Sequence, residues 1–551
     1  MTTKKKELIV TSALPYANGP LHFGHLLEHI QTDIWVRAQR ILGNHCIYLC
    51  ASDAHGTPIM MKAEEENVPP EKLVDKYMKE HKKTLEAFQV SHDCYYQTHS
   101  EENKKYSELI YNAALKNGFI SKKNIKQLFD EEKKLFLADR YVQGNCPKCN
   151  APNQYGDNCD VCGAKYEATE LLNPISIFSK KSPVVKESEH FFFTLTKLEK
   201  EVKKWIDDSS LQDSVINKLQ EWFKDGLMDW DISRDAPYFG FKIPGHENKF
   251  FYVWLDAPIG YIGTLEKFLK NTKNKLSAKD LWSETSNYEI YHFIGKDILN
   301  FHALFWPALL HAAEFKKPSN VFVHGFLTLN GNKMSKSKGN FLLADQYSEE
   351  LKTDFLRYYL ASKLTNKIDD IDLNLKDFQK KVNTDLVGKF INIASRVQKF
   401  LKSNGNKIGA ILDEEIIEKF RNDATTIFDD YLNLNYSNAC KKIMKLADSA
   451  NQYIDHNQPW ILAKEEINLK EVIKISSTGM NLFRILNICL EPIIPETTSK
   501  IKRYLNLTED NLSKLSTLIK NHEIQNFEPL VERIEDEKIE NLIEVSKSGE
   551  N

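Results

Sequence analysis

Between residues 6 and 52 the spacing of apolar positions changes twice. KELIVTSALP is a short apolar run ended by Pro15, the pattern of a buried strand. From His25 the period lengthens: Leu26, Leu27, Ile30, Ile34, Ala38, Ile41 and Leu42 share one helical face, and Gly43-Asn44 stops it. CIYLCAS then reads as a second buried strand, so the stretch predicts a strand–helix–strand unit. Further on, VFVHGF is an apolar strand that leads through Asn330-Gly331 into the loop NKMSKSKGN. After IDDIDLNLKDF the chain carries long helical periods, as in LVGKFINIASRVQKFL and ACKKIMKLADSANQYI, with few Pro or Gly, which predicts an antiparallel bundle. From about residue 530 Ile534, Ile539, Leu542 and Ile543 stand at near-helical spacing, so the tail is expected to pack back as a helix.

Composition narrows the class. A chain of 551 residues is too long for one core, and about two to four domains are expected. Hydrophobic content of 42% and charged content of 27% are those of an ordinary globular protein. With Lys+Arg 74 against Asp+Glu 77 the chain is no polycation, so nucleic-acid contacts must come from local patches. The N-terminal apolar run is too short for a signal peptide, and no stretch approaches the roughly 18 apolar residues of a membrane span. The expected setting is cytoplasmic.

Chemistry concentrates at the ends of the predicted strands, where parallel sheets bind ligands. His22 and His25 sit at the entry to the first helix, three residues apart, with Gly24 between them and Asp53 at the end of the second strand. A helix start favours anions, and two imidazoles there suit a polyphosphate. The plain alternative is a pair of histidines capping a helix. Likewise Lys333, Lys336 and Lys338 form either a solvated loop or one that closes on a phosphate.

Four of the nine cysteines form a cluster, Cys146-x2-Cys149-x9-Cys159-x2-Cys162, with Gly156 and Gly163 placed for tight turns. Four thiolates close a tetrahedral zinc site completely, so one structural Zn2+ in a reducing compartment is expected. Cys46, Cys50, Cys94, Cys440 and Cys489 read as buried apolar residues.

HFGH followed some three hundred residues later by KMSKS resembles the signature pair of class I aminoacyl-tRNA synthetases. ALPYANGPLHFGHLLEH, DAHGTPI, WDISRDAPYFG, YVWLDAPIGY, YHFIGKDI and IDDIDLNL, with the cysteine knuckle, resemble the methionyl-tRNA synthetases over nearly the whole chain. The resemblance implies an α/β fold: a Rossmann-like parallel-sheet catalytic domain in two halves, 1–117 and 250–326. An inserted connective domain at 118–249 would carry the zinc knuckle (146–162). A KMSKS and linking segment would follow at 327–387, then an all-α anticodon-binding bundle at 388–532 and a tail helix at 533–551.

It also implies methionine–tRNA ligase activity, with ATP, L-methionine and initiator and elongator tRNA(Met) as substrates and Mg2+ accompanying ATP. His22, His25, Lys333 and Lys336 would be catalytic, and His22, Gly24, His25, Gly295, Asp297 and Lys336 would hold ATP. Ala13, Leu14, Tyr16 and Asp53 would bind methionine together with Trp254, Ala257, Pro258, Tyr261, Ile298 and His302, Asp53 taking the ammonium. Arg234, beside Asp235, would close the site through an ion pair. Asn392, Arg396 and Trp460 would meet the anticodon. Two departures stand out: Ser52 where some relatives carry an acid, and Gly388 where some carry a polar residue. A monomer is expected, with no membrane or DNA partner.

Three other readings compete. Synthetases for leucine, isoleucine or valine share both signatures but carry an editing insertion for which this length has no room. A small-molecule nucleotidyltransferase needs neither the knuckle nor the bundle. A non-catalytic zinc RNA-binding module needs neither Asp53 nor Lys336.

Overall fold

The computed structural model describes residues 5–333, 342–508 and 512–547. Five parallel strands make the central sheet: β1 (Glu7–Ser12), β2 (His45–Ser52), β3 (Cys94–Gln97) and, after a long insertion, two strands near residues 288–324. The insertion opens with β4 (Ile120–Asp130), paired antiparallel to β5 (Val184–Phe193). The sheet then resumes with β6 (Tyr288–Gly295) and β7 (Asn320–His324), giving the order β7-β6-β1-β2-β3. The chain thus runs outward from β1 in one direction, then restarts beside β1 and runs in the other. Ligand crevices form at such a reversal, beyond the carboxyl ends of the strands.

Strand alternation sorts the apolar residues into two cores. Leu8, Val10, Tyr48 and Cys50 join one core, with α1 (Phe23–Ile41), while Ile9, Ile47 and Leu49 join the other. That second core also takes side chains from α2 (Glu101–Lys116) and α3 (Val253–Asn271).

The helix α1 begins two residues before His25 because the two histidines cap it themselves: Gly24 N donates to His22 Nδ1 (3.0 Å) and His22 N to His25 Nδ1 (3.2 Å). Each imidazole thereby satisfies an amide that the helix start leaves without an intrahelical partner. Gly43 ends the helix in the left-handed region, φ +86°, as its position suggests.

The insertion is not one body. Leu128, Leu137, Val142, Cys146 and Cys159 form a small core of their own around the knuckle, whereas Phe193, Trp205, Val215 and Ile232 pack into the sheet's second core.

Beyond the sheet, α4 (Thr353–Lys363), α5 (Asn392–Ser403), α6 (Tyr436–Asn457) and α7 (Leu469–Leu490) pack as a bundle whose core is continuous with the α1 face of the sheet. The tail helix α8 (Asp536–Lys547) buries Ile539 and Leu542, and Gln379 Nε2 donates to Asp536 Oδ1 at 2.7 Å. No helix among the described residues is long and apolar enough to cross a membrane.

Arg357 on α4 joins sheet and bundle. Its side chain and that of Asp33 on α1 are both 0% exposed. Arg357 donates to Asp33 Oδ2 (2.7 Å) and to the carbonyls of Phe88, Pro492 and Ile493. Removing one member of such a buried pair strands the other charge, at about 3–5 kcal/mol. Arg357→Ala is therefore expected to lower the unfolding free energy by about that much in urea denaturation. Lys6→Ala, which breaks an exposed pair with Glu289, should cost less than about 1 kcal/mol.

Candidate active site

A cavity of about 830 Å³ opens at the carboxyl ends of β1, β2, β6 and β7. Ala13, Leu14 and Tyr16 follow β1 and reach it; Asp53 follows β2. Trp254, Ala257, Pro258 and Tyr261 enter from α3, and Gly295, Asp297, Ile298 and His302 from the segment after β6. His22, Gly24 and His25 border the same space. Five sequence segments therefore meet in one place. Lys336 lies outside the described residues; the Lys333 backbone forms a short ladder with Thr328.

Capping sets the tautomers of the two histidines. Each Nδ1 accepts a backbone amide, so in the neutral ring the proton is on Nε2. Burial, and then the His22 ring, hold the His25 pKa well below the usual histidine value. The rings stack with centroids 3.9 Å apart. The plain alternative is thus true as far as it goes: these histidines do cap a helix. Capping also leaves each ring an N–H donor on the nitrogen not spent on the cap.

Asp53 is half-buried, and its carboxylate accepts from the backbone amides of Ala54 and His55. It also accepts from Thr98 Oγ1 at a long 3.5 Å, and burial, then the neighbouring Asp256, push its pKa well above the carboxylate range. Asp256 is buried; one oxygen binds His55 Nδ1 and the other has no partner. Two neighbouring carboxyl groups, both held above their usual pKa range, make a site that a cation would relieve. Ser52, next in sequence, points away from the cavity and bonds His81 Nδ1 and Tyr95 Oη, each at 2.9 Å.

A directed hydrogen-bond chain backs the apolar wall. His302 Nδ1 lies 3.1 Å from the Ile298 carbonyl, which can only accept, so Nε2 carries no proton. Burial pushes its pKa down to about 4, so the ring stays neutral. The Tyr261 hydroxyl must then donate to His302 Nε2, 2.9 Å away. Behind it Trp306 Nε1 donates to His292 Nε2 (3.0 Å), His292 Nδ1 donates to Thr11 Oγ1 (2.6 Å), and Thr11 bonds Tyr261. Tyr261 therefore shows the cavity oxygen rather than a proton. A π-helical turn at Phe301–Phe305 carries His302, and Pro258 within α3 leaves the Trp254 carbonyl without its usual i+4 donor.

Arg234 also borders the cavity, stacked 3.8 Å from the Tyr252 ring centroid, and its carboxylate neighbour is Asp231 at 3.4 Å. Asp235 is turned elsewhere, to His190 and Lys249. The sequence reading missed part of the wall: Ala138, Asp139, Arg140, Tyr141 and Asp157 of the knuckle region, and Glu28 with His324, 3.5 Å apart. His324 ends β7, so the strand-end rule applied to VFVHGF would have found it; residues 138–141 carry no local signal.

The cysteine cluster fits zinc. All four Sγ atoms lie within 4.8 Å of one another, with Cys146–Cys162 at 3.8 Å and Cys149–Cys159 at 3.6 Å. Lys148 N and Cys149 N donate to Cys146 Sγ, and Cys162 N to Cys159 Sγ, the bonds that steady a thiolate. Gly163 makes its turn at φ +72°, but the matching turn of the first knuckle is made by Asn150 at φ +58°. Gly156 serves differently: a Cβ there would come 2.6 Å from that of Ala168.

In the bundle, Asn392 and Arg396 stand one turn apart on α5. Both reach Asn451 Oδ1, at 3.1 and 3.4 Å, and Arg396 also pairs with Asp455. The guanidinium lies 5.1 Å from the Trp460 ring centroid, and Trp460 is 36% exposed. Gly388 falls in a π-helical stretch, Asn383–Ile391, just before α5.

This fold and crevice agree with the comparisons. Residues 8–398 match the family model described as tRNA synthetases class I (M), which makes the chain a class I tRNA synthetase. Residues 404–549 match the anticodon binding domain of methionyl tRNA ligase. The methionine–tRNA ligase of Francisella tularensis subsp. holarctica is 50% identical over 547 residues, covering 98% of this chain and 81% of that protein. The chain belongs to the methionyl-tRNA synthetase family. Its fold is similar to that of the Mycobacterium tuberculosis methionyl-tRNA synthetase in complex with methionyl-adenylate, with TM-score 0.79 at 22% identity over 95% of this chain and 99% of that one. For the free-state structure of that enzyme the TM-score is 0.73 at 21% identity, over 97% and 99%.

The knuckle generates a direct test. Purified protein is expected to hold one zinc at the knuckle, and Cys162→Ser to lose that ion; elemental analysis with thermal unfolding should show its loss and destabilisation together.

Proposed function

We propose that this chain activates L-methionine with ATP and transfers it to the terminal adenosine of initiator and elongator tRNA(Met). The observation that carries the site assignment is the meeting of the HFGH imidazoles, the half-buried Asp53 carboxylate and the apolar wall of Tyr261 and Trp254 in one cavity. Asp53 takes the substrate ammonium. The thioether lies against Ala13, Leu14, Trp254, Ala257, Pro258 and Ile298, with Tyr261 and His302 as the polar part of the pocket.

The methionine carboxylate is already ionised at neutral pH, so it attacks the α-phosphate without a general base. A carboxylate oxygen–phosphorus bond forms as the bond to pyrophosphate breaks. The protein's task is alignment and neutralisation of the growing phosphoryl charge. The Nε2–H groups of His22 and His25 suit that task, with Gly24, Gly295 and Asp297 against the nucleotide and Lys333 and Lys336 from the following loop. Mg2+ enters as the counter-ion of ATP, and Arg234 closes over the site. A hydroxyl of the terminal tRNA adenosine then attacks the methionyl carbonyl and releases AMP.

One zinc steadies the knuckle, whose segment 138–141 forms a side of the cavity. Asn392, Arg396 and Trp460 offer a stacking and hydrogen-bonding patch for unpaired anticodon bases. In this reading the protein acts as a monomer in the cytoplasm. The proposed units are catalytic halves at 1–117 and 250–326, the connective insertion at 118–249, a KMSKS and linking segment at 327–387 whose helix α4 packs with the bundle, the anticodon bundle at 388–532 and the tail at 533–551.

Amino-acid-dependent ATP–pyrophosphate exchange tests this reading, and methionine alone among methionine, leucine, isoleucine, valine and cysteine should support it. Lys336→Ala should slow exchange by about 10²–10³ while methionine affinity barely changes, and a loss under about fivefold would remove Lys336 from the mechanism.

Asp53 adds a pH signature. Its pKa is raised in the free protein, and the bound ammonium favours the carboxylate, so methionine binding should release protons. Affinity should then rise as pH rises through the free-state pKa. Calorimetry in buffers of different ionisation enthalpy should detect the release, and Asp53→Asn should abolish it along with most of the binding.

A further inference from the structure

Near the first turns of α1, which carry His22 and His25, lies a second group of metal-type donors, separate from the four knuckle cysteines. His29 is on α1, one turn beyond His25. Cys50 is on β2, three residues before Asp53, and His92 comes from the turn into β3. One ring nitrogen from each histidine and the Cys50 Sγ all lie within 4.8 Å of one another.

Three features mark this as more than packing. First, His92 Nε2 is buried and has no hydrogen-bond partner, an expensive state for a polar atom in a folded core. Second, the Cys50 thiol makes only long contacts, 3.6 to 3.7 Å, to the carbonyls of Ser12, Ala13 and Ala51. The thiol donates weakly to carbonyl oxygens, and that hydrogen bond is given up together with the proton when a metal binds the sulfur. Third, His29 Nδ1 is fixed at 3.0 Å by Ser12 Oγ, which also meets Tyr48 Oη at 3.1 Å. An outer hydrogen bond of this kind orients metal-bound imidazoles, and it leaves the other ring nitrogen to ligate. Neither ring is hydrogen-bonded to a carboxylate that would hold a proton on it. His29 also borders the 830 Å³ cavity, so an ion has a way in from solvent.

We propose that His29, Cys50 and His92 form a second cation site, selective for a thiophilic ion such as Zn2+ or Co2+. Two imidazoles and one thiolate are a borderline-to-soft donor set, unsuited to Mg2+ or Ca2+. Three protein ligands leave a fourth position open, unlike the closed four-cysteine knuckle. On binding, the Cys50 sulfhydryl proton leaves to buffer as the metal–sulfur bond forms, with no change of oxidation state.

The test uses full-length protein already holding zinc at the knuckle, with zinc content checked by native mass spectrometry, titrated with Co2+ under anaerobic conditions. The expected result is one cobalt added per chain, zinc retained, and a thiolate-to-cobalt charge-transfer band. Cys50→Ala should remove that band, and His92→Gln should weaken cobalt binding at least tenfold. Both variants should keep methionine-dependent exchange measured with Mg2+ and no added cobalt, which reports that they fold. Excess Mg2+ should not compete, whereas Zn2+ should. The proposal is overturned if the wild type takes up no cobalt, if the band persists in Cys50→Ala, or if cobalt enters only as zinc leaves.

Discussion

A guanidinium with no access to water sets the frame of this molecule. Arg357 and Asp33 would each be costly to bury alone, and their mutual attraction offsets that cost only because almost every donor and acceptor around them is used. Asp33 also takes Arg37 Nε at 2.7 Å and both the amide and hydroxyl of Ser91. Burial pushes the Asp33 carboxyl upward, but Arg37 and Arg357 outweigh it and hold it well below the usual range. Because Asp33 sits in the middle of α1, the network fixes the helix whose first turn carries His22 and His25. Trp35 and Tyr436 add bonds across the same junction, to Leu432 O and Gln31 O. The catalytic crevice and the Asn392–Arg396–Trp460 patch thus belong to one continuously packed body.

Within that frame the polar groups fall into two kinds. Some are fully committed: the chain from Trp306 to Ile298 fixes every proton, so Tyr261 and His302 form a rigid wall. Others are left uncompensated, chiefly one oxygen of Asp256, which has no partner, and Asp53, whose pKa that neighbouring carboxyl pushes further up. In a low-dielectric pocket the second kind is destabilised, and a ligand that supplies the missing charge gains what the empty site lacks. Position in the wall therefore separates recognition of shape, from the committed groups, and recognition of charge, from the uncommitted ones.

Much of this was legible residue by residue. The change of period at His25 gave α1 to within two residues, the cysteine spacing gave the knuckle, and every expected methionine-pocket residue lines the cavity. Those signals are local: a helix face, a turn or a ligand spacing depends on residues a few positions apart. The misses have a common cause as well. Asn150 rather than Gly156 makes the first knuckle's turn because Asn tolerates the left-handed region, and Gly156 answers to Ala168 twelve residues on. Asp235 pairs with His190 and Lys249, from strands that meet only after folding.

The sequence by itself determined the main elements, the four-cysteine cluster fit for zinc and the residue types at each strand end, because periodicity and short-range chemistry are written in neighbouring positions. Only the tertiary structure decided which nitrogen of His292 bears its proton, where Tyr261 points its hydroxyl, and that residues 138–141 of a distant insertion wall the cavity. Those outcomes depend on partners tens to hundreds of positions away, and a hydrogen bond acquires a direction only when both its ends are in place.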